Sequence, residues 1–355
     1  MARNLFYRAA NIVQLSRFTL LVGSKSLCTQ IPAEPLTVRQ QTNGIRSITL
    51  NNPKKRNALS LSMLESLRGN ILADIDSDDL RVIVISAKGP VFSSGHDLKE
   101  LTSAQGRDYH FKVFQACSEV WFTIGLYTNI LYTHIIIIII TGNESSVIVL
   151  RRLWLCTYST HTHSHPRTHS FLLLLLKVMT LIQDISVPVI AMVNGVATAA
   201  GCQLVASCDI AVVTEKSTFA TPGVNVGLFC STPAVAIGRA VPKKVAMEML
   251  FTGSPISAQD ALLHGLVSKV VPEERLEEET LAIARRVCQA SRPVVALGKA
   301  TFHRQMAQGR DAAYAIASRV MVDNLALRDG QEGIRAFIEK RKPVWTNKAE
   351  KAHDE

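Results

Sequence analysis

Aspartate and glutamate are missing before Glu34, while Arg3, Arg8, Arg17 and Lys25 are spaced among Leu5, Phe6, Ile12, Val13, Leu15, Phe18 and Leu20. Spaced arginines without acids form the amphipathic pattern of a mitochondrial presequence. A secretory signal needs one unbroken apolar block, which Arg17 interrupts. Residues 1–35 are therefore expected to direct the chain to the mitochondrial matrix. Paired cysteine motifs are missing too. Cys28, Cys117, Cys156, Cys202, Cys208, Cys230 and Cys288 show no CxxC spacing. That argues against a disulfide framework or a zinc knuckle and for a reducing compartment. No metal site is expected.

A basic run interleaved with aromatics is also lacking. Of the net charge of +10, residues 1–35 supply +3 and residues 121–178 another +3, which leaves +4 for the rest. The positive charge is not concentrated on the folded part, so nucleic acid is not an expected partner. What is present is apolar: 47% hydrophobic against 19% charged residues supports a sizeable core and excludes global disorder.

Residues 121–178 differ from their surroundings. They contain six isoleucines in a row (Ile135 to Ile140), five leucines in a row (Leu172 to Leu176), and alternating histidines at His161, His163 and His165. Such repeats are low complexity. Deleting the segment places Val113, Cys117, Val120, Leu181, Ile182 and Ile185 on one helical face. An insertion whose removal restores an amphipathic helix reads as a retained intron. The alternatives are a membrane segment, since Trp121 to Ile140 approaches the ~20 apolar residues that a span needs, and a histidine-rich metal tract. The core then comprises residues 36–120 and 179–245, followed by a helical region at 246–345 and a tail at 346–355.

Residues 37–41 and 45–50 read as strands joined by the hairpin dipeptide Asn43-Gly44. A helix is predicted over residues 60–75, with Leu61, Leu64, Leu67 and Ile71 as its stripe. Residues 81–87 and 187–193 are continuous apolar, β-branched runs, as in buried parallel strands. A small-residue helix is predicted over 199–207 and a strand over 209–213. Helices follow at 243–251 and 258–264, the latter with a Ser257/Asp260 cap and Gly265 as its stop. Repeated β-β-α units followed by helices give an α/β core with a helical C-terminal part.

Two segments carry the chemistry. Phe92-Ser93-Ser94-Gly95-His96-Asp97-Leu98 turns sharply at Gly95 and aims the His96 N–H outward, with Asp97 and Glu100 expected as a capping box for a helix from Leu98. Asn194-Gly195-Val196-Ala197-Thr198-Ala199-Ala200-Gly201 opens a helix whose tiny side chains leave the Ala200 N–H accessible. Two such N–H groups converging on one carbonyl oxygen would stabilise an enolate or a tetrahedral oxyanion. Each such donor is worth ~2.7–4 kcal/mol.

With Leu50-Asn51-Asn52-Pro53-Lys54, Pro188-Val189-Ile190-Ala191-Met192-Val193-Asn194-Gly195, Gly265-Leu266-Val267-Ser268-Lys269 and Glu339-Lys340-Arg341-Lys342, these motifs resemble the crotonase (enoyl-CoA hydratase/isomerase) superfamily. The resemblance covers residues 36–120 and 179–345. It implies a spiral of β-β-α units, a C-terminal helical trimerisation region, a homotrimer or hexamer, and a coenzyme A thioester as ligand rather than a permanently bound cofactor. It implies that the backbone N–H groups of His96 and Ala200 hold the thioester oxygen. It assigns Ser94, Gly95 and Asp97 to the ligand site, and Lys54, Lys99, Phe337 and Lys340 to the coenzyme.

The resemblance also exposes two gaps. Authentic hydratases carry glutamates where this chain has Gln203 and Gly223. Gln203 can hydrogen-bond water without accepting its proton, and Gly223 offers nothing. A positioned acid or base typically supplies ~10²–10⁴-fold, so hydratase activity is expected to be weak or absent. Restoring both glutamates should raise it. The expected function is acyl-CoA binding in mitochondrial fatty-acid metabolism. The alternatives are an active hydratase, isomerase or thioester hydrolase with a non-standard base such as His96, and a non-catalytic scaffold or regulatory module.

Overall fold

The computed structural model describes residues 34–118 and 178–352, apart from the side chains of Phe111 and residues 114–118. The expected presequence up to residue 33, and residues 121–177 with the histidine tract, lie outside the described residues, as do the side chains of Cys117 and Val120.

The first strands, β1 (Thr37–Thr42) and β2 (Ile45–Leu50), form the expected hairpin. Asn43 and Gly44 both have positive φ, 50° and 81°, as a two-residue primed turn requires. Strands β3 (Val82–Ala87), β5 (Val189–Val193), β7 (Ile210–Thr214) and β10 (Lys269–Val271) extend a six-stranded sheet in the order β1-β2-β3-β5-β7-β10. All pairings after the hairpin are parallel. Their β-branched runs fit a sheet covered on both faces. Ile83 and Ile85 enter the main core, while Val82 and Val84 pack with Leu276 and Ala284 on the other side.

A second sheet went unread in the sequence. Strands β4 (Val91–Ser93), β6 (Val196–Thr198), β8 (Thr218–Ala220) and β9 (Ile256–Ser257) form it in that order. Three-residue strands are too short to show a period of two. Together the sheets define the spiral: β3-β4, β5-β6 and β7-β8 each place a long strand in the first sheet and a short one in the second.

Helix α1 (Leu61–Leu72) is capped by Ser60, which accepts from the Met63 N–H. It is shorter than predicted because the chain breaks at Ala73 and Asp74, where ψ is 123° and φ is 44°. Helix α2 (Arg107–Ser118) packs against α3 (Val178–Asp184), which begins with the buried Val178. Of the helical face expected across the deletion, Val113, Ile182 and Ile185 are buried. Helix α4 (Ala200–Ser207) packs on α5 (Ser231–Ala240), and α6 (Lys243–Thr252) and α7 (Ala258–Leu263) follow. The Ser257/Asp260 capping box forms, and Gly265 stops the chain at φ +85°. The C-terminal part comprises α8 (Leu276–Cys288), α9 (Arg292–Met306), α10 (Arg310–Leu325) and α11 (Arg328–Ile338). Among the described residues no helix is long and apolar enough to cross a membrane.

Candidate active site

Far apart in sequence, the two motifs nest against each other. After β4 the chain turns at Gly95, φ +86°. The Gly95 carbonyl accepts from the Leu59 N–H at 2.8 Å, and His96 stands opposite Leu59 in a parallel bridge. Ser93 Oγ donates to the Asn57 carbonyl at 2.8 Å, which fixes the turn from behind. In the second motif, Ala199 takes φ +50° and ψ −118° without being glycine. Such backbone costs of order 1–3 kcal/mol and persists where neighbours over-determine it; here the Ala199 N–H donates to the Ala220 carbonyl at 2.9 Å.

Glycines permit the nesting. A Cβ on Gly95 would stand 2.8 Å from the Ala199 Cβ and 3.2 Å from the Ala200 backbone nitrogen. A Cβ on Gly201 would stand 2.5 Å from the Ser93 carbonyl oxygen. The backbone before His96 therefore lies directly against the first amide of α4. That helix end has no side-chain cap and carries the positive end of the helix dipole. A carbonyl oxygen placed there would meet fixed N–H dipoles rather than reorienting water.

His96 adds little charge. Burial holds its imidazole below the ordinary value, partly opposed by the Leu59 carbonyl 3.4 Å from Nδ1. The ring is neutral at pH 7.

The expected Asp97/Glu100 capping box does not form. Leu98–Leu101 is a single 3-10 turn, with Asp97 accepting from the Lys99 N–H at 3.1 Å. Glu100 instead reaches across to the Leu61 N–H at 2.9 Å, at the start of α1. A carboxylate at the N-terminus of a twelve-residue helix meets a larger dipole than its own short turn supplies.

Lys54 lies on the 3-10 turn Pro53–Lys55, and its neighbour Lys55, which the sequence reading passed over, stands 3.9 Å from Asp97. Lys54, Lys55 and Lys99 are thus exposed cations on the side of the first motif. Ser94 is fixed by its N–H donating to the Arg56 carbonyl at 3.0 Å. Phe337, 85% exposed, and Lys340 lie at the end of α11, whose helix contacts are mainly with α9 and α10.

Gln203 and Gly223 differ in kind. Gln203 follows Ala200 by one helical turn on the same face, is 2% exposed, and its Oε1 has no hydrogen-bond partner among the described residues. Gly223 sits in the 3-10 turn Pro222–Val226. A Cβ there would stand 2.5 Å from the Leu228 carbonyl oxygen and 2.7 Å from the Cys230 Sγ. The expectation that glutamates at both positions would raise hydration is therefore corrected: position 223 has no room for a side chain unless the backbone shifts. Cys202 is sealed in the core, and burial pushes its thiol up to about 12; burial pushes the Cys208 thiol up as well. Around Gly223, Val226, Leu228 and Phe229 remain exposed, and Phe229 lies 6.2 Å from Phe251 between ring centroids.

The family model described as "Enoyl-CoA hydratase/isomerase" matches residues 40–126 and 161–348, leaving out 127–160 inside the low-complexity segment. The chain is 60% identical over 312 residues to zebrafish (Danio rerio) "Enoyl-CoA hydratase domain-containing protein 3, mitochondrial", covering 88% of each. The crystal structure of human enoyl coenzyme A hydratase domain-containing protein 3 is 57% identical with a TM-score of 0.69, covering 87% of this chain and 100% of that one. A Mycobacterium smegmatis enoyl-CoA hydratase structure is 37% identical, also with a TM-score of 0.69, covering 88% and 99%.

Proposed function

The chain belongs to the enoyl-CoA hydratase/isomerase (crotonase) family, relatives 58–60% identical to it are named as mitochondrial proteins, and from that premise we propose that it binds coenzyme A thioesters with little hydratase activity, in the fatty-acid metabolism of the matrix. One observation carries this reading: the Gly95 turn lies against the Ala200 amide, 3.2 Å from a Cβ that glycine lacks. The thioester oxygen takes the N–H groups of His96 and Ala200, with Ser94, Gly95 and Asp97 shaping the turn. Lys54 and Lys99 face the coenzyme phosphates. The ligand is a substrate-like thioester and not a resident cofactor. Phe337 and Lys340 complete the coenzyme end in a homotrimer or hexamer. Exposed Phe302, Met306, Tyr314, Met321 and Val322 support such association, since apolar surface of this extent marks interaction sites.

Weak hydration follows from the two gaps. The amides would polarise an enoyl thioester, but Gln203 cannot take a proton from water and residue 223 has no side chain. Calorimetry with butyryl-CoA should show binding that is lost in Gly95→Val. Crotonyl-CoA hydration should run at least ~10²-fold below an authentic hydratase, the smaller effect of removing a positioned base. Absence of binding, or turnover equal to that of a hydratase, would overturn the reading.

A further inference from the structure

The Pro53–Lys55 turn and the Gly95 turn are joined through one side chain that the chemistry above leaves unused. Asn57 is fully buried and, with Arg56 before it, takes a positive φ, 49° beside 52°. Left-handed backbone at a non-glycine residue persists where neighbours over-determine it, and asparagine is among the residues that tolerate it. Here the neighbours are two turns of the site. The Asn57 N–H donates to the Asn52 carbonyl at 2.9 Å, and Asn57 Oδ1 accepts from the Asn52 N–H at 2.9 Å. That reciprocal pair closes the loop that carries Lys54 and Lys55. Asn57 Nδ2 donates to the Lys88 and Val91 carbonyls at 3.0 and 2.8 Å, on the connection from β3 to β4. Both amide hydrogens and the amide oxygen are therefore used. The Asn57 backbone carbonyl in turn accepts from Ser93 Oγ, inside the first motif.

Contacts on either side tighten this joint. The Ser94 N–H donates to the Arg56 carbonyl at 3.0 Å, and the Leu59 N–H to the Gly95 carbonyl at 2.8 Å. Gly89 leaves room for the lysine-bearing turn, since a Cβ there would stand 2.9 Å from the Pro53 Cβ. On the outside, Lys55 and Asp97 approach to 3.9 Å with the lysine exposed, a contact too loose to set a distance. The rigid link between the two turns is the buried one.

We propose that Asn57 is a positioning residue: it sets the spacing between the cations of the 3-10 turn, which meet the coenzyme, and the His96 N–H, which meets the thioester oxygen. The proposal rests on the thioester-binding reading above. One ligand then spans two ends of a single frame, and its second contact becomes intramolecular once the first is made. Such linkage raises affinity beyond that of either half alone. Asn57 touches neither end of the ligand and acts through the Asn52 turn and Ser93.

Calorimetry and ligand-observed NMR on the full chain test this with three probes. Butyryl-CoA reaches both ends, free coenzyme A lacks the acyl oxygen, and butyryl-pantetheine lacks the phosphates and adenine. Asn57→Asp keeps the size and the acceptor for the Asn52 N–H, but turns the two donated bonds into contacts between oxygens. Its affinity for butyryl-CoA should fall ~10²-fold while each half binds as it does to the unsubstituted chain. Ser93→Ala spares the Asn57 side chain and cuts only the tie from its carbonyl to the motif. It should show the same pattern at smaller size, and it decides the matter where Asn57→Asp does not fold. Equal loss of all three probes would make Asn57 a structural residue and overturn the proposal. So would unchanged butyryl-CoA binding in the deciding variant, or an unsubstituted chain that holds butyryl-CoA but neither half. Each of these leaves the binding reading standing. Failure of the unsubstituted chain to bind any of the three would overturn both.

Discussion

Strand β3 buries five of its six residues, whereas within the described residues no residue of α9 or α10 is fully buried. The core closes by steric fit: apolar strands stack, and glycines let turns approach within a van der Waals contact. The C-terminal helices are fixed by charged clamps instead. Lys299 on α9 donates to the Ile182 and Val187 carbonyls at 2.6 and 2.9 Å and to Asp209 Oδ2 at 2.7 Å. His303, one turn on, stands 3.2 Å from the other Asp209 oxygen. Asp329 accepts from Ser291 Oγ and from the Thr346 and Asn347 amides, and Glu332 pairs with Arg341. Steric fit fixes a geometry to fractions of an ångström, as an oxyanion site needs. A clamp holds an element whose apolar surface is left for something else to cover.

Breaking a clamp should cost most. Lys299→Met leaves the half-buried Asp209 with a lost cation and strands two carbonyls that bracket the entry to β5. The loss should be ~3–5 kcal/mol, read from urea unfolding. A change near zero would mean that the apolar contacts of α9 hold it without the clamp. In the core, Gly201→Ala drives a Cβ into the Ser93 carbonyl at 2.5 Å. It should cost ~1–3 kcal/mol, as overpacking does, and abolish butyryl-CoA binding by parting the two turns. Full binding in that variant would separate the site from the nesting.

Acid should sharpen the contrast with the smallest effect. Burial raises Asp209 and Asp329, but hydrogen bonds with His303 and Lys299 at Asp209, and from Ser291, Thr346 and Asn347 at Asp329, outweigh it, so both carboxyls sit below their ordinary range. Arg341 and the Val344 amide hold Glu332 at about 2, against 4.5. A depressed carboxyl stabilises the fold above its unfolded pKa, and that contribution is lost as pH falls through the folded value. Hydrogen exchange should therefore quicken in α11 and residues 344–347 between pH 4.5 and about 2 while β3 stays protected. Equal loss in both regions would show one cooperative unit. Burial lowers the Lys299 pKa, partly opposed by the Asp209 carboxylate.

Legibility followed range. The Asn43-Gly44 hairpin, the buried strands, the Ser257/Asp260 cap and both motifs were readable because each depends on neighbours along the chain. The expected Asp97/Glu100 box failed because Glu100 chose a partner 39 residues away. The short second sheet, the Lys299–Asp209 clamp and the crowding of Gly223 by Cys230 left no local mark.

The sequence by itself determined the family, the two strand-to-helix turns and the identity of the residues at 203 and 223. Each is a matter of residue type at a position, set by conformational freedom or by the presence of a titratable group. Only the tertiary structure decided that the Gly95 turn meets the Ala200 amide, that Gln203 keeps an open acceptor, and that a thiol fills the space beside Gly223. Those are contacts between segments that lie far apart in the chain, and packing alone brings them together.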